Sequence, residues 1–201
     1  MAKSALLLVD VQNDFCPGGA LAVPQGDAVV PVLNDYISRF ASRGLPVLAS
    51  RDWHPPETSH FHAGGGPWPP HCVQDTEGAA FHPDLVLPAD VIVVTKGTSP
   101  TDDGYSAFEA TDEAGRAVGE RLRAAGVGTL YVGGLATEYC VRASVLDALG
   151  QGIDTVLLLD AVRGIDVQPG DVARAVDEMI RASARTATLA TIDAEMVRTR
   201  A

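Results

Sequence analysis

The sequence predicts an α/β fold, a doubly wound and mainly parallel sheet of about six strands with helices on both faces. Three observations support it. Short apolar runs alternate along the chain with longer segments of helical periodicity. Most runs are continuously apolar, which is typical of strands that are covered on both faces. Strands and helices that alternate at this spacing form right-handed crossover units, whose strands pair in parallel.

The predicted strands are apolar runs rich in β-branched residues. The first contains the run ALLLVDV, and the last is the weakest of the set. Their order along the chain is 5–11, 45–50, 90–95, 129–133, 155–160 and 186–190.

The predicted helices lie between these strands. In the first, apolar side chains recur at spacings of three and four, and Gly44 follows as a stop signal. Gly126 and Gly150 follow the second and third in the same way, and the fourth begins at Pro169, where the missing N–H is not needed. The predicted helices are 28–43, 110–125, 138–149 and 169–183.

One segment breaks the alternation. Residues 53–88 are rich in proline, contain all five histidines of the chain, and have no clear period. Loops of this length in compact domains are usually functional or disordered, and the clustered histidines favour function. At 201 residues we expect one domain, 1–201, with a metal-binding loop insertion at about 52–88.

Charge and composition narrow the function classes. A net charge of −11 argues against nucleic acid and anionic membranes as partners, and favours a small neutral substrate. No apolar stretch approaches the length of a membrane span, and Asp10 interrupts the N-terminal apolar run too early for a secretory signal. The three cysteines, Cys16, Cys72 and Cys140, are an odd number, as expected of reduced thiols. The expected location is the cytoplasm.

Reactive side chains follow four of the predicted strands. Asp10 ends the first strand, Asp52 and His54 follow the second, Lys96 ends the third, and a glycine turn after the fourth leads to Cys140. Because ligands of parallel sheets bind at the carboxyl ends of the strands, these residues are candidates for one site.

Cys140 is the candidate nucleophile. Gly133 and Gly134 predict a turn and Thr137 a helix N-cap, which would place the thiol in a first helical turn. Backbone N–H groups and the helix dipole there favour a thiolate and can stabilise an oxyanion. The alternative is a small buried thiol without a chemical role.

Asp10 and Lys96 interrupt apolar strands, where an unpaired charge would be unfavourable. One interpretation is a structural ion pair. The other is a Cys–Asp–Lys triad, with Asp10 as the general base toward the Cys140 thiol and later the acid toward the leaving amine, and Lys96 stabilising the charges.

The histidine-rich loop is a candidate metal site. Asp52 and His54 are two positions apart on an extended segment and so point the same way, and His60 and His71 follow in the same loop. Oxygen and imidazole ligands suit Zn²⁺, Fe²⁺ or Mn²⁺ rather than Ca²⁺. Loop histidines without a common role are the alternative, and we treat His62 and His82 as structural or surface residues.

Four segments, in order, resemble one family over residues 5 to about 165. They are LLLVDVQNDFCPGGALAV, then RDWHPP followed by WPPHCVQDTEGAAFHPDL, then VTKGTSPTDDGYSAFE, and finally VGGLATEYCVRASVLDA. The chain resembles the isochorismatase-like cysteine hydrolases, and among them the nicotinamidases (pyrazinamidases).

The resemblance implies Asp10, Lys96 and Cys140 as the catalytic triad of an amidohydrolase. It implies that Cys140 attacks the amide carbon of nicotinamide, that ammonia leaves, and that water hydrolyses the thioester to nicotinic acid, a step of NAD salvage. Pyrazinamide is expected to react in the same way. The N–H groups of Ala136 and Cys140 would form the oxyanion hole, and the Leu135–Ala136 peptide would be cis.

For the metal, the resemblance implies Asp52, His54 and His71, with a variable fourth position that His60 fills here. One divalent ion would bind the ring nitrogen of the substrate, zinc being expected and iron or manganese the alternatives. The ligand set separates this chain from metal-free relatives. The resemblance also favours a homo-oligomer. The residues expected to enclose the ring are Phe15, Trp68 and Tyr105.

Three other functions stay open. The first is a related amidohydrolase that acts on another small amide. The second is a metallohydrolase in which a metal-bound water attacks and Cys140 is incidental. The third is a metal-binding or redox-sensing protein without turnover.

Overall fold

The computed structural model describes residues 3–198, and in this part of the chain six strands form one sheet in the order β3-β2-β1-β4-β5-β6. Every neighbouring pair is parallel. The predicted fold class is therefore confirmed. The chain order reverses between β1 and β4, which is where a doubly wound sheet opens a crevice for a ligand. The strands are β1 (Lys3–Val9), β2 (Val47–Asp52), β3 (Ile92–Lys96), β4 (Val127–Leu135), β5 (Asp154–Arg163) and β6 (Arg185–Ala187).

Helices cover both faces of the sheet. They are α1 (Val29–Ala41), α2 (Val118–Ala124), α3 (Arg142–Gly150), α4 (Asp171–Arg181) and α5 (Ile192–Arg198), and a π-helical turn, Thr137–Val141, precedes α3. Alternate residues of β1 point to opposite faces. Leu6 packs in a cluster with α1 and α5, whereas Leu7 packs in a second cluster with α2, α3 and α4. This two-sided burial explains why the strand sequences are continuously apolar.

The helix predicted at 110–125 is wrong in its first half. Thr111 forms bridges with Thr95 and Ala117, and the Asp112 carboxylate accepts hydrogen bonds from the N–H groups of Ala114 and Arg116, both at 2.9 Å. These local bonds from an aspartate give the backbone an alternative to helix, so α2 begins only at Val118. The sequence reasoning also missed α5.

The predicted insertion is irregular, as expected, but it is tied to the sheet. His54 pairs in parallel with Val73, and Phe61 pairs with Trp68. Phe81 also pairs with Gln12, which follows β1, and the Trp53 N–H donates a hydrogen bond to the carbonyl oxygen of Lys96 at the end of β3. Between residues 3 and 198, no helix combines the length and apolar character needed to cross a bilayer.

Candidate active site

The ends of the central strands bring the candidate residues together. Asp10 directly follows β1, Asp52 ends β2, Lys96 ends β3, and Cys140 lies in the π-helical turn after β4. All four are buried. Asp52 and Cys140 line one cavity at this edge of the sheet. The other residues around it are Phe15, Leu21, His60, Trp68, His71, Asp103, Gly104, Tyr105, Ala136, Tyr139 and Ile165.

Lys96 lies at the centre of this group. Its ammonium nitrogen is 2.7 Å from Asp10 Oδ2, contacts Asp52 Oδ1, and lies 3.5 Å from Cys140 Sγ. It also donates a hydrogen bond of 2.6 Å to the Gly104 carbonyl oxygen. The three residues of the predicted triad are therefore in mutual reach, and Asp52 joins them as a second buried carboxylate.

Burial and pairing set the charges of the group. Burial lowers the pKa of Lys96, but the attraction of Asp10 and Asp52 outweighs it and holds the pKa well above its usual range, so Lys96 is a cation. For Asp52, burial raises the pKa, yet Lys96 and His54 outweigh it and keep the carboxylate ionised. Burial raises the pKa of Asp10 to about 6, despite the nearby Lys96.

The burial of Cys140 opposes the thiolate that a position in a first helical turn would favour. Burial raises the pKa of the thiol well above its usual range; Lys96 lowers this pKa, and Asp10 and Asp52 raise it further. Thr137 does not act as the predicted N-cap, because Ala136 occupies that position and no side chain caps the turn. The thiol therefore rests protonated, and a base has to remove its proton.

Three histidines form a second cluster beside the triad. The ligand nitrogens of His54, His60 and His71 lie within 4.8 Å of one another, and all three side chains are buried. His54 Nε2 is also 3.7 Å from Asp52 Oδ2. His71 Nδ1 lies 2.8 Å from the carbonyl oxygen of Pro69, which leaves its Nε2 available as a ligand.

This cluster fits a divalent cation. Among the residues described, neither ring nitrogen of His54 has a hydrogen-bond partner, although the ring is fully buried. Burial lowers the pKa of His71 to about 4 and that of His60 below its usual value, so both rings are neutral, the form that binds metals. A buried carboxylate and three buried imidazoles, one of them with no hydrogen-bond partner among the described residues, form a suitable donor set. His62 and His82 lie outside the cluster.

The backbone permits this close packing at two positions. Gly97 has φ +64°, and a Cβ there would lie 2.4 Å from His54 Cε1, so any larger residue would displace the ring. The Leu135–Ala136 peptide is cis, as the resemblance implied. Ala136 lies in the wall of the cavity together with Cys140.

Aromatic side chains form much of the cavity wall. Trp68 donates a hydrogen bond of 2.9 Å to the Tyr105 hydroxyl, and the Phe15 ring lies 5.5 Å from His71. The sequence reasoning missed Tyr139, whose ring meets Trp68 edge-on at 4.9 Å. Its position next to Cys140 was a signal that could have identified it.

Two polar residues were missed as well. Ser50 donates a hydrogen bond of 2.7 Å to Asp10 Oδ1, and Asp103 Oδ1 lies 3.3 Å from His60 Nδ1. Neither stands out in the sequence, because an isolated serine or aspartate has many other roles.

The chain is similar to known hydrolases over nearly its whole length. The sequence pattern of the Isochorismatase domain matches residues 4–194. The nicotinamidase of Escherichia coli (strain K12) is 44% identical, over 94% of this chain and 97% of that protein. The pyrazinamidase of Pyrococcus horikoshii in complex with zinc has a TM-score of 0.86 at 46% identity, over 93% of this chain and 99% of that one. PnC1 from L. infantum in complex with nicotinate has a TM-score of 0.82 at 31% identity, over 93% of each chain.

Proposed function

The chain belongs to the isochorismatase domain family, and from this premise we propose that it is a nicotinamidase that hydrolyses nicotinamide to nicotinic acid and ammonia. Pyrazinamide, an analogous heteroaromatic amide, is the proposed second substrate. The observation that carries the proposal is the single cavity shared by a buried thiol and a histidine cluster, Cys140 on one side and His60 and His71 on the other. A neutral substrate also suits a chain with a net charge of −11.

In the proposed mechanism, Cys140 is the nucleophile and Asp10 the general base. Asp10 takes the thiol proton as sulfur attacks the amide carbon, and it returns that proton to the nitrogen as the C–N bond breaks and ammonia leaves. Asp10 then takes a proton from the water that attacks the thioester. The C–S bond breaks, nicotinic acid leaves, and Asp10 returns the proton to the Cys140 sulfur. Lys96 stays a cation beside Asp10 and Asp52 throughout.

The oxyanion formed in each attack needs hydrogen-bond donors. We assign this role to the backbone N–H groups of Ala136 and Cys140, both of which belong to residues of the cavity wall. The ammonium group of Lys96, 3.5 Å from the Cys140 sulfur, adds a positive charge beside the reacting atoms.

Asp52, His54, His60 and His71 would hold one divalent metal ion, with zinc expected and iron or manganese as alternatives. When bound, such an ion supplies a Lewis-acid contact that fixes the ring nitrogen of the substrate. The ring of His54, which has no hydrogen-bond partner among the described residues, supports a metal site, and the zinc complex of the P. horikoshii relative supports zinc.

The aromatic wall is the proposed ring-binding surface. Phe15, Trp68 and Tyr105 present flat apolar groups that suit a pyridine ring, and the Trp68–Tyr105 hydrogen bond holds two of them in place.

A single domain, a homo-oligomer and a role in NAD salvage remain predictions for this chain.

Ammonia release from nicotinamide by the zinc-loaded protein tests the proposal. We expect turnover of nicotinamide and pyrazinamide, and a loss of about 10³-fold or more in Cys140→Ala. Cys16→Ala is the matched control, since Cys16 is a buried thiol outside the cavity wall.

Two other results would contradict the proposal. Faster turnover of a ureido amide than of nicotinamide would indicate a related amidohydrolase. Activity that survives alkylation of Cys140 but not chelation would indicate a metallohydrolase that uses a metal-bound water.

A further inference from the structure

Residues 12–14, which directly follow the strand end that carries Asp10, contact both segments that carry the metal-ligand candidates. Asp52 lies at the end of β2, and His71 lies in the insertion, far from it in sequence. Neither belongs to the same element as Asp10. The side chains of Gln12 and Asp14 join the three.

Gln12 holds the backbone of Asp52 from both sides. Its side chain is fully buried, and its Nε2 donates to the Asp52 carbonyl oxygen while its Oε1 accepts from the Asp52 N–H, each at 2.8 Å. A second hydrogen bond of 2.8 Å runs from Nε2 to the carbonyl oxygen of Ala79. A side-chain amide thus makes the pair of bonds that a neighbouring strand would make, at the residue whose carboxylate faces Lys96 and His54.

Asp14 holds the peptide that follows His71. Its Oδ2 accepts a hydrogen bond of 2.7 Å from the Cys72 N–H, and its Oδ1 accepts one of 3.1 Å from the Ala20 N–H. Cys72 has φ +45°, a left-handed conformation that is unfavourable for a residue other than glycine and needs such support. Gly78 packs against the carboxylate so closely that a Cβ there would lie 2.2 Å from Oδ2.

Residues 72–74, which follow His71, are also hydrogen-bonded to the backbone of His54. The His54 N–H donates to the Cys72 carbonyl oxygen, and the Gln74 N–H donates to the His54 carbonyl oxygen, both at 2.9 Å. Cys72 is therefore held at its N–H by Asp14 and at its carbonyl oxygen by the His54 N–H.

We propose that Gln12 and Asp14 are positioning residues for the metal site, which hold Asp52 and His71 at ligand distance and thereby set the affinity for the ion. This inference rests on the proposed function only in requiring that the site binds a metal. Residues that orient ligands in this way typically change metal affinity by about 10- to 100-fold when they are replaced.

Two nearly isosteric variants remove the contacts. In Asp14→Asn, the amide oxygen can accept a hydrogen bond from only one of the N–H groups of Cys72 and Ala20. The other N–H group then faces the NH₂ group of the new amide, which is also a donor. In Gln12→Glu, the carboxylate cannot donate to the carbonyl oxygens of Asp52 and Ala79. Asn13→Ala is the matched control. The Asn13 side chain, in the same segment, donates a hydrogen bond of 2.8 Å to the Glu77 carbonyl oxygen and, within residues 3–198, makes none to a metal-ligand candidate.

The measurement is the zinc dissociation constant of the metal-free chain, by competition with a chromophoric chelator, together with its melting temperature without metal. We expect Asp14→Asn and Gln12→Glu to weaken zinc binding about tenfold or more, with Asn13→Ala unchanged. If Gln12→Glu does not fold, Asp14→Asn decides the outcome.

The outcomes are distinguishable. Wild-type affinity in Asp14→Asn, or an equal loss in Asn13→Ala, would overturn the positioning role alone. Failure of the wild-type chain to bind zinc would instead overturn the metal site of the proposed function, and with it this inference.

Discussion

Asp52 contacts the ammonium group of Lys96 through Oδ1, while its Oδ2 lies 3.7 Å from His54 Nε2. One carboxylate thereby belongs to both halves of the site, the triad and the histidine cluster. Lys96 is fully buried and is the cation that faces both Asp10 and Asp52. The electrostatic balance of the whole site therefore depends on it.

Lys96→Met is expected to destabilise the metal-free protein. The change leaves two buried carboxylates without their cation, and breaking a buried ion pair from one side lowers the free energy of unfolding by about 3–5 kcal/mol. The loss should be largest at neutral pH and smaller in acid, because protonation then removes the repulsion between Asp10 and Asp52. Urea unfolding at several pH values measures it.

The control for this prediction is Arg39→Met. Arg39 pairs with Asp193 at 2.9 Å on the surface, where the two side chains are 35% and 63% exposed. Such a pair contributes about 1 kcal/mol or less. A Lys96→Met protein as stable as Arg39→Met would contradict the role assigned to Lys96.

The rate of nicotinamide hydrolysis should fall in acid. The carboxylate form of Asp10 is the base, and burial raises its pKa to about 6, so kcat/KM for nicotinamide should decrease about tenfold per pH unit below that value. The hydrogen bond from Ser50 to Asp10 Oδ1 lowers the pKa of Asp10. Ser50→Ala removes this bond, so the pKa of Asp10 should rise and the decrease in rate should begin at higher pH. An acid limb that is unmoved in Ser50→Ala would refute the assignment of Asp10.

The Cys140 thiol should react slowly with iodoacetamide at neutral pH. Since burial and the nearby carboxylates raise its pKa, the alkylation rate of the metal-free protein should keep rising up to and beyond pH 9. Mass spectrometry of the Cys140 peptide follows the reaction separately from Cys16 and Cys72. A rate that levels off by pH 7 would mean that the resting form is a thiolate after all.

Removal of zinc should abolish the hydrolysis of nicotinamide, and its return should restore it. His60→Ala is expected to weaken zinc binding about tenfold or more, because it removes a ligand from the cluster. His62→Ala is the matched control, since His62 is exposed, two positions away, and its Nδ1 lies 3.1 Å from the Gly66 carbonyl oxygen. Equal zinc affinity of His60→Ala and wild type would exclude His60 as the fourth ligand.

Much of the site could be predicted because the ends of the strands can be recognised in the sequence. Lys96 and Asp52 end apolar runs, and in a parallel sheet such ends meet at one edge. The segment 110–125 shows the limit of this reasoning. Its composition favours a helix, but the bonds from Asp112 to the following N–H groups compete with the helix, and a composition pattern does not register them.

The sequence by itself determined the fold class and the residues that the resemblance assigns to the triad and the metal site, since both depend on the order of residues along the chain. Only the tertiary structure decided the ionisation of Cys140, because the pKa of a buried thiol depends on the charges packed around it. It also decided which polar side chains support the site. Gln12 and Asp14 act on Asp52 and Cys72, residues distant in sequence that only folding brings within hydrogen-bond reach.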